Sequence, residues 1–512
     1  MSKKSFFLIY IFLLILGSLS SFSLPPYNFI FINFITYSLF LYFIIFFKEK
    51  KAKLSNFFFL GFSFGYGYFV SSLYWVSNSL TFDHQLNFLI PIAILGLPIL
   101  LAAFYGISVL AIHSFIKKDY VFLLIFSISL SVFEYFRGIL FTGFSWNLIS
   151  YSWTFSIESI QILKFIGTYT FNFFSIFIFS IYFNCLRPIK SKQIFIKSIF
   201  VLVFLSLNFF VGKFIIKNSE FNYLNDVKIK IIQPNIAINN TWGLENEHKN
   251  LIRLIALSKG NKDEKTLFVW PEGMIQQTRP QDLYKYKEYF NKNFSKNHFI
   301  IIGMSNPITT NGKINYYNSL VLLNHNAEVV SIYNKIKLVP FGEFIPFEKL
   351  LSQLGLKKIT FGYGSYASGK KRKEIEVFKN LSFLPLLCYE IIYSGDLKLN
   401  SRDFNFIVNI SEDGWFGNSI GPRQHLAQVI FRAIEQGVPI ARSTNTGISA
   451  FVSPNGTIVN SLELNKEGII NAKLFFLKEK TLFSVLENYI FYFTIFLSII
   501  FVITARKLKN NG

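Results

Sequence analysis

The sequence predicts a multi-span α-helical membrane domain joined to an α/β domain of ordinary globular composition. Three observations predict this division. The 512 residues are 52% hydrophobic and only 16% charged, which is unlike the balance of a soluble protein. Apolar runs of roughly 20 residues, long enough to cross a bilayer, fill the first part of the chain and recur near its end. Between them, at about 220–480, short β-rich runs alternate with helical stretches, a pattern typical of α/β domains.

Eight apolar runs are long enough to be membrane helices. They lie at about 5–23, 29–47, 57–76, 87–114, 120–138, 163–185, 194–214 and 483–504. The first run has a basic start and small residues near its end, so a cleaved signal peptide is an alternative for that run. We therefore predict a seven-helix transmembrane domain at 1–216, an outer globular domain at 217–480, and a C-terminal transmembrane helix with a short tail at 481–512.

The basic residues predict how the spans are oriented. Lysines and arginines cluster before span one and after spans two, four, six and eight, whereas the loops after spans one and three carry neither. Because basic loops stay in the cytoplasm, we expect both termini there and the outer domain on the opposite face. The net charge of +22 then fits attraction to anionic lipid, and we expect no nucleic-acid partner because no aromatic–basic module occurs.

Within the outer domain, strands and helices are predicted in alternation. The predicted strands lie at 227–232, 266–270, 298–303, 375–378, 382–388 and 404–409, and the predicted helices lie at 243–258, 281–294 and 422–436. Turn sequences predict three hairpins, at Asn311-Gly312, Lys379-Asn380 and Pro454-Asn455-Gly456.

Chemically active side chains come directly after three of these strands. Glu272 follows Trp270-Pro271, Lys335 and Glu343 follow a run that begins at Tyr333, and Cys388 ends an apolar strand. Because α/β folds place their chemistry at strand ends, we expect Glu272, Lys335 and Cys388 to form one site. In such a site the carboxylate accepts the thiol proton and the ammonium stabilises an oxyanion.

Each of these assignments has an alternative. The chain has two cysteines, which give neither a disulfide framework nor a zinc spacing, so Cys388 could be a small buried hydrophobic residue. Glu272 could cap a helix, and Lys337 competes with Lys335 for the role of the cation. Glu343 is either an ion-pair partner of Lys335 or a participant in the chemistry.

Three segments resemble the signature segments of the carbon–nitrogen hydrolase (nitrilase) superfamily, and they occur in the same order. They are WPEG at 270–273, YNKIKLVPFGE at 333–343 and LLCYE at 386–390. Runs at 409–417, 421–425 and 442–449 extend the resemblance. With its flanking spans, the whole chain resembles the apolipoprotein N-acyltransferase family of bacterial inner membranes, and the runs at 133–138 and 141–147 are similar to the membrane half of that family.

The resemblance implies a nitrilase-like α-β-β-α sandwich for the outer domain and a periplasmic position for it in the bacterial inner membrane. It implies ping-pong transfer of an acyl chain from a membrane phospholipid to Cys388, and from that thioester to the N-terminal amine of a diacylglyceryl apolipoprotein. Glu272 would be the base and Lys335 the oxyanion-stabilising cation. No metal or organic cofactor is expected.

Further residues are expected to support the site. Glu390 would lie behind the three catalytic residues, and Trp415 belongs to the intact run Trp415-Phe416-Gly417. The residues that match family positions near the acyl or head-group pocket are Tyr389, Trp242 and Trp146, although aromatic residues of so Phe-rich a chain are also common in cores. Lys337 stands where the family commonly has histidine, and Glu412 stands where it usually has asparagine.

Three more expectations concern neighbouring segments. Residues 344–369 are apolar and would form an arm that enters the lipid interface, or alternatively a helix packed on its own domain. Glu134 and Arg137 lie three residues apart at the end of a span and are expected to pair and to hold the loop that carries Trp146. His425 is expected to be structural.

Two other functions remain open on the sequence. A membrane-tethered amidase or nitrilase that hydrolyses a small C–N substrate would share the same three residues but would not need seven preceding spans. A non-catalytic membrane scaffold would not need the intact motifs.

Overall fold

The computed structural model describes residues 3–185, 191–241, 243–310, 312–346, 348, 364–397 and 404–511. Long helices fill the first part of the chain. They are α1 (Lys3–Ser21), α2 (Ile32–Glu49), α3 (Leu54–Leu73), α4 (Ile90–Ala111), α5 (Tyr120–Ile139), α6 (Leu163–Phe179) and α7 (Ser191–Lys217). Two more helices, α11 (Leu482–Leu486) and α12 (Tyr489–Asn511), end the chain.

Seven helical segments of the described chain are long and apolar enough to cross a membrane. They coincide with seven of the eight predicted spans. The predicted span at 57–76 corresponds to α3, which is 20 residues long but is not among the seven. Asn56, four serines, two tyrosines and three glycines lower the hydropathy of α3, and the glycines have a packing role.

Glycines of α1 and α3 allow helix backbones to approach closely. A Cβ atom on Gly17 would overlap the carbonyl group of Phe64, and one on Gly67 would overlap the carbonyl group of Leu14. On another face of α3, Gly61 lies directly against the backbone of α4. Small residues at such contacts are typical of helix packing in membranes, so α3 is held between α1 and α4.

The outer domain contains two six-stranded sheets in the described residues. The first has the order β12-β1-β2-β3-β4-β5 and the second β11-β10-β9-β8-β7-β6. The first sheet comprises β1 (Phe221–Gln233), β2 (Lys265–Val269), β3 (His298–Thr310), β4 (Lys313–Asn324), β5 (Val329–Asn334) and β12 (Gly468–Leu477). The second comprises β6 (Ile375–Phe378), β7 (Leu381–Leu387), β8 (Phe406–Ser411), β9 (Ile440–Thr444), β10 (Ser449–Val452) and β11 (Ile458–Leu462).

Both sheets have a parallel centre and antiparallel edges. Strands β1, β2 and β3 run parallel, as do β7, β8 and β9, and the hairpin strands pair antiparallel. Because β4 reverses the direction of β3 and β5 reverses it again, β2 and β5 end at the same edge of the first sheet. This brings the residues that follow β2 and β5 together.

Helices cover the outer face of each sheet. Helices α8 (Leu244–Leu257) and α9 (Lys287–Asn293) pack on the first sheet, and α10 (Gly421–Gln436) packs on the second. The inner faces of the two sheets share one buried apolar cluster, with members such as Ile229, Leu267, Phe383 and Val408. These layers form the α-β-β-α sandwich that the resemblance implied.

Most predicted elements are confirmed, with shifted ends. The predicted helix at 281–294 begins as a 3₁₀ helix, Pro280–Tyr286, before α9. The hairpin residues Asn380 and Gly456 have φ of 61° and 84°, as tight turns require, whereas Asn311 lies outside the described residues. Strands β9 and β12 were not predicted as strands.

The outer domain is joined to the membrane helices by buried polar contacts. The backbone N–H of Thr168, in α6, donates to the Glu435 carboxylate of α10 at 2.7 Å. Ser394 Oγ donates to the same carboxylate oxygen at 2.7 Å, and Arg432 Nε lies 2.7 Å from the other oxygen. All four side chains are buried. One helix of the sandwich is therefore packed between its own sheet and the membrane helices.

Candidate active site

The thiol lies at the start of a tight turn that follows a buried strand. Strand β7 delivers Cys388 into a 3₁₀ turn over Cys388–Ile392, which we call the nucleophile turn. Cys388 has φ of 45°, a left-handed conformation that is rare for a residue with a side chain and that often marks functional turns. Asn409 Nδ2 lies 3.4 Å from the carbonyl oxygen of Cys388, to which it donates, and helps to hold the turn.

Glu272 is held by three donors at the end of β2. Its carboxylate accepts from Asn318 Nδ2 at 2.7 Å and from the backbone N–H of Glu412 at 3.0 Å. Lys335 Nζ lies 3.5 Å from the same carboxylate. The side chain is buried, so its orientation is fixed by these contacts.

Lys335 lies between two carboxylates. Its Nζ atom is 2.9 Å from Glu343 Oε1 and 3.5 Å from Glu272 Oε1, and its side chain is 1% exposed. Glu343 also accepts from Asn318 Nδ2 at 2.6 Å and from the Val339 backbone N–H at 2.8 Å. Glu343 thus pairs with Lys335, and whether it also takes part in the chemistry is not decided by this contact.

Burial and neighbouring charges set the protonation of the three groups. Burial raises the pKa of the Cys388 thiol, the Glu272 carboxylate adds to the rise, and the Lys335 ammonium opposes it. Burial also raises the pKa of Glu272, which Lys335 opposes and Glu343 reinforces. Burial alone would lower the pKa of Lys335, but Glu343 and Glu272 outweigh burial and raise it well above its ordinary value. The resting site therefore has a protonated thiol, and a base must accept its proton during attack.

Glu390 connects the nucleophile turn to the strand end that carries Lys335. One carboxylate oxygen accepts from the backbone N–H of Leu387 at 2.9 Å, and the other accepts from that of Ile336 at 2.9 Å and from Tyr333 Oη at 2.8 Å. Arg372 lies 3.3 Å from the carboxylate and balances its charge. Glu390 is fully buried, and its bonds hold the nucleophile turn against the strand end that carries Lys335. This position agrees with the supporting role that the sequence predicted.

A second buried network lies behind the thiol. Asp413 accepts from Ser411 Oγ at 2.7 Å and from Arg442 at 2.5 Å, and its oxygen is 3.0 Å from His425 Nδ1. Burial alone would raise the pKa of Asp413, but Arg442 and His425 outweigh burial and hold it far below its usual range. His425 thus belongs to a buried polar network, and its structural role stays a prediction.

The predicted aromatic residues lie in different environments. Tyr389 is buried and donates from Oη to the carbonyl of Gly143 in the membrane half. Trp146 is buried and donates from Nε1 to Gln424 Oε1 at 2.9 Å, so it belongs to the junction core. Trp415 is half-buried, with its ring 5.2 Å from that of Phe82.

Some predictions fall outside the described residues. They concern Trp242 and the apolar arm at 344–369, of which Phe347 and residues 349–363 are not described. The expected pairing of Glu134 with Arg137 is confirmed, and Arg137 also donates to the Phe144 carbonyl in the loop before Trp146.

Asn318 was missed on the sequence, although its amide donates to both Glu272 and Glu343. It lies inside β4, and a single asparagine in a strand carries no spacing signal. Ser411, at the end of β8, and Arg372, in the segment before β6, were also missed. Glu412 acts on Glu272 through its backbone N–H, so the change of side chain there leaves that contact in place.

A sandwich of two sheets with helices on both outer faces is the fold of the carbon–nitrogen hydrolase class. A family model described as "Carbon-nitrogen hydrolase" matches residues 228–475, which contain both sheets. A second family model, described as "Apolipoprotein N-acyltransferase N-terminal domain", matches residues 16–181 in the membrane half.

Curated relatives extend over nearly the whole chain. An apolipoprotein N-acyltransferase from Rhodopseudomonas palustris is 30% identical over 482 residues, 90% of this chain and 88% of the relative. Another from Rickettsia prowazekii is 32% identical over 464 residues, 88% of this chain and 89% of the relative. The chain belongs to the apolipoprotein N-acyltransferase family.

Two of the solved structures that resemble this chain each cover about half of it. A member of branch 10 of the nitrilase superfamily from Saccharomyces cerevisiae is 18% identical, with a TM-score of 0.35, and covers 51% of this chain and 93% of its own. An amidase from Nesterenkonia sp. is 15% identical, with a TM-score of 0.31, and covers 49% of this chain and 92% of its own.

Proposed function

We propose that this protein transfers a fatty acyl chain from a membrane phospholipid to the N-terminal amine of the diacylglyceryl-cysteine of bacterial apolipoproteins, through a thioester on Cys388. One observation carries the proposal. Cys388 and Tyr389 belong to the same buried apolar cluster as the membrane helices, so the thiol sits against the part of the molecule that meets lipid. A hydrolase of small soluble C–N substrates has no need of such a position.

In the first half-reaction Glu272 accepts the thiol proton while the sulfur attacks the ester carbonyl of the phospholipid. The new C–S bond creates an oxyanion, which the Lys335 ammonium stabilises. The ester C–O bond then breaks, and Glu272 returns the proton to the departing glycerol oxygen. A lysophospholipid leaves, and Cys388 carries the acyl chain as a thioester.

In the second half-reaction the free amine of the lipoprotein attacks the thioester carbonyl. A C–N bond forms, the C–S bond breaks, and the proton that the amine loses passes through Glu272 to the sulfur. Water competes with the amine at this step. An apolar surround favours transfer because it keeps water from the thioester, which is a second reason for a site against the membrane helices.

Glu343 and Glu390 act by positioning. Glu343 keeps Lys335 charged and oriented, while Glu390 fixes the strand end of Lys335 relative to the nucleophile turn. We assign Tyr389 to the lining of the acyl pocket, where its ring can contact the chain and its hydroxyl is already bonded to Gly143.

The orientation of the chain follows from its basic loops. We propose that 1–216, with α3 as one of its seven spans, and 481–512 form the membrane domain, with 217–480 as the catalytic domain on the periplasmic side of the bacterial inner membrane. Both termini then lie in the cytoplasm, because the lysine-rich loops flank the same ends of the helices.

The proposal is tested with full-length protein and a phospholipid labelled in its acyl chain. The wild type should acquire a label that hydroxylamine removes, since hydroxylamine cleaves thioesters. Cys388→Ala should not be labelled. Cys185→Ala is the matched control, because Cys185 is the other buried cysteine of the chain and lies in the membrane half. It should be labelled like the wild type.

A diacylated lipopeptide is then added to the labelled enzyme. Label should move to the lipopeptide as an amide. Release of the label as free fatty acid without lipopeptide product would support the hydrolase alternative, and label that persists in Cys388→Ala would contradict the thioester.

A further inference from the structure

A buried carboxylate outside the reaction site holds a loop of the outer domain. Glu247 lies in the first turn of α8 and is 1% exposed. One of its oxygens accepts from the backbone N–H of Gln276 at 3.1 Å and from that of Gln277 at 2.8 Å, and the other accepts from that of Thr278 at 3.1 Å. Three successive peptide groups of the loop are therefore bonded to one helical side chain.

Apolar packing fixes the helix and the loop relative to each other. Leu251 and Leu254 of α8 belong to the same buried apolar cluster as Met274 and Ile275, which precede the bonded peptide groups. A buried carboxylate is costly unless its oxygens are bonded, and here peptide N–H groups supply the donors to Glu247. The contact is therefore a built part of the domain interior.

The loop begins directly after Glu272, the general base of the proposed reaction. We call residues 273–278 the base loop. Its start is fixed by β3, because Gly303 lies so close to Glu272 that a Cβ atom on Gly303 would be 2.4 Å from Glu272 Cα. Its far end is fixed by Glu247. Strand β3 and helix α8 thus hold the base loop from its two ends.

The base loop also contacts the segment that leads to the second carboxylate of the site. Gln276 Oε1 accepts from Tyr366 Oη at 3.3 Å, and the backbone N–H of Tyr366 donates to the carbonyl of Glu343 at 2.8 Å. The Glu343 carboxylate in turn pairs with Lys335. A displacement of the base loop would therefore reach both of the carboxylates that face the Lys335 ammonium.

We propose that Glu247 is a positioning residue for the reaction at Cys388 and that it acts through the base loop on Glu272. A base must keep its carboxylate aimed at the thiol, and a misplacement of about 1 Å can cost up to ~100-fold in rate. Three bonds to a packed helix give the loop that precision. The assignment rests on the proposed function only in taking Glu272 as the base.

The test uses the full-length protein and follows two reactions of Cys388. Alkylation by iodoacetamide needs only the thiol and its base, whereas thioester formation also needs the phospholipid. Glu247→Gln keeps the side-chain size but turns an NH₂ group toward backbone N–H donors, so both rates should fall about tenfold, the equivalent of one charge-assisted hydrogen bond. Glu245→Gln is the control, because that side chain is 82% exposed on the same helix turn, and both rates should stay unchanged.

Two readouts separate positioning from a general loss of stability. Because burial raises the pKa of Glu272, loosening of the base loop in Glu247→Gln should lower that pKa and move the acid limb of alkylation to lower pH. Glu247→Gln should also slow alkylation no further when it is added to Glu272→Gln, since the residue through which it acts is already changed. A protein that is merely less stable would show an unmoved limb and losses that multiply.

Wild-type rates in Glu247→Gln, an unmoved limb, or losses that multiply in the double variant would overturn the assignment. If Glu247→Gln does not fold, amide hydrogen exchange of the wild type decides. The amides of residues 276–278 should then exchange slowly, and fast exchange would contradict their bonds to Glu247. A wild type that is alkylated at Cys388 but never acquires an acyl label would refute the proposed function and not the placement of the base loop.

Discussion

Among single residues, Lys335 is the one on which the others of the site depend. Two buried carboxylates, Glu272 and Glu343, face one ammonium, and Asn318 is the only other side chain of the described residues that donates hydrogen bonds to both. Burying one charge without its partners is costly, whereas a satisfied group of charges is tolerated. In the reaction proposed above, the arrangement would hold the general base near the thiol and keep an ammonium where the oxyanion forms.

Replacing Lys335 by methionine should destabilise the protein as well as inactivate it. The substitution leaves Glu272 and Glu343 buried without their cation, which costs about 3–5 kcal/mol in comparable buried pairs. Thermal unfolding in detergent measures the loss of stability.

Two control variants test the cause of this loss. Lys335→Met combined with Glu343→Gln should recover part of the lost stability, because one of the unpaired charges is then gone. Lys249→Met, which breaks an exposed pair with Glu245, should have no measurable effect. Unchanged unfolding of Lys335→Met would contradict the buried ion-pair account.

The rate of thioester formation should fall as the pH is lowered through the pKa of Glu272. That pKa is raised by burial, and only the ionised carboxylate can accept the thiol proton. Because the Glu343 carboxylate also raises the pKa of Glu272, Glu343→Gln should move the acid limb to lower pH. Single-turnover labelling across a pH series measures the limb.

Two outcomes of this pH series are informative. A limb that stays in place or moves to higher pH would contradict the proposed coupling between Glu343 and Glu272. A loss of rate at every pH, with the limb unmoved, would indicate that Glu343 itself takes part in the chemistry.

The positions of Glu272, Lys335 and Cys388 after strands were predictable because these are chemically distinctive residues at the ends of apolar runs, whereas their catalytic roles stay predictions. Asn318 and the backbone N–H of Glu412 were not predictable, because a peptide N–H has no sequence signature and an asparagine in β4 is not distinguished from the other asparagines of the chain. Chemically distinctive side chains are therefore easier to predict from the sequence than the groups that orient them.

At the scale of elements, close packing explains why α3 carries three glycines. Its glycines remove side-chain bulk where α1 and α4 approach, and this lowers hydropathy while increasing backbone contact. The span was predicted from the length of its apolar run, whereas its position between two helices is known only from the structure.

Gly67→Ala should separate packing from helix propensity. A Cβ on Gly67 would overlap the carbonyl of Leu14, so alanine should destabilise the membrane domain by about 1–3 kcal/mol, as overpacking does. Gly96→Ala in α4 is the control, because its Cβ would have Ile92 Cγ2 as its nearest neighbour, at 3.6 Å. Since alanine favours helix, Gly96→Ala should be neutral or slightly stabilising. Equal effects of both variants on thermal unfolding in detergent would refute the role of Gly67.

Strands β9 and β12 show what a local pattern cannot predict. Strand β9 is buried along its whole length yet carries Arg442, Ser443 and Thr444, whose polar groups are bonded inside the protein. Strand β12 pairs with β1, and these two strands lie at opposite ends of the sequence of the outer domain. Both strands depend on contacts that no window of adjacent residues contains.

For the whole molecule, the junction between the two parts contains buried polar contacts as well as apolar ones. Arg432 and Glu435 of α10 contact Thr168 in α6, Ile392 at the end of the nucleophile turn, and Ser394 just after it. The same helix therefore contacts the second sheet, the membrane half and the segment that follows the thiol. Through this arrangement the membrane helices contribute directly to the positioning of the site. A protein of the same fold without membrane helices would have to position its site by other contacts.

The side of the membrane on which the catalytic domain lies can be tested with single exposed cysteines. Both native cysteines are buried, so the wild type should react little with a membrane-impermeant maleimide. Lys262→Cys places a thiol on the exposed surface of the outer domain, and Lys117→Cys places one in the loop between α4 and α5. Because the basic loops are expected in the cytoplasm, spheroplasts should label Lys262→Cys at once and Lys117→Cys only after lysis. The opposite pattern would put the thiol of Cys388 on the cytoplasmic side, where a lipoprotein exported before acylation would be out of reach, and the proposed reaction could not take place there.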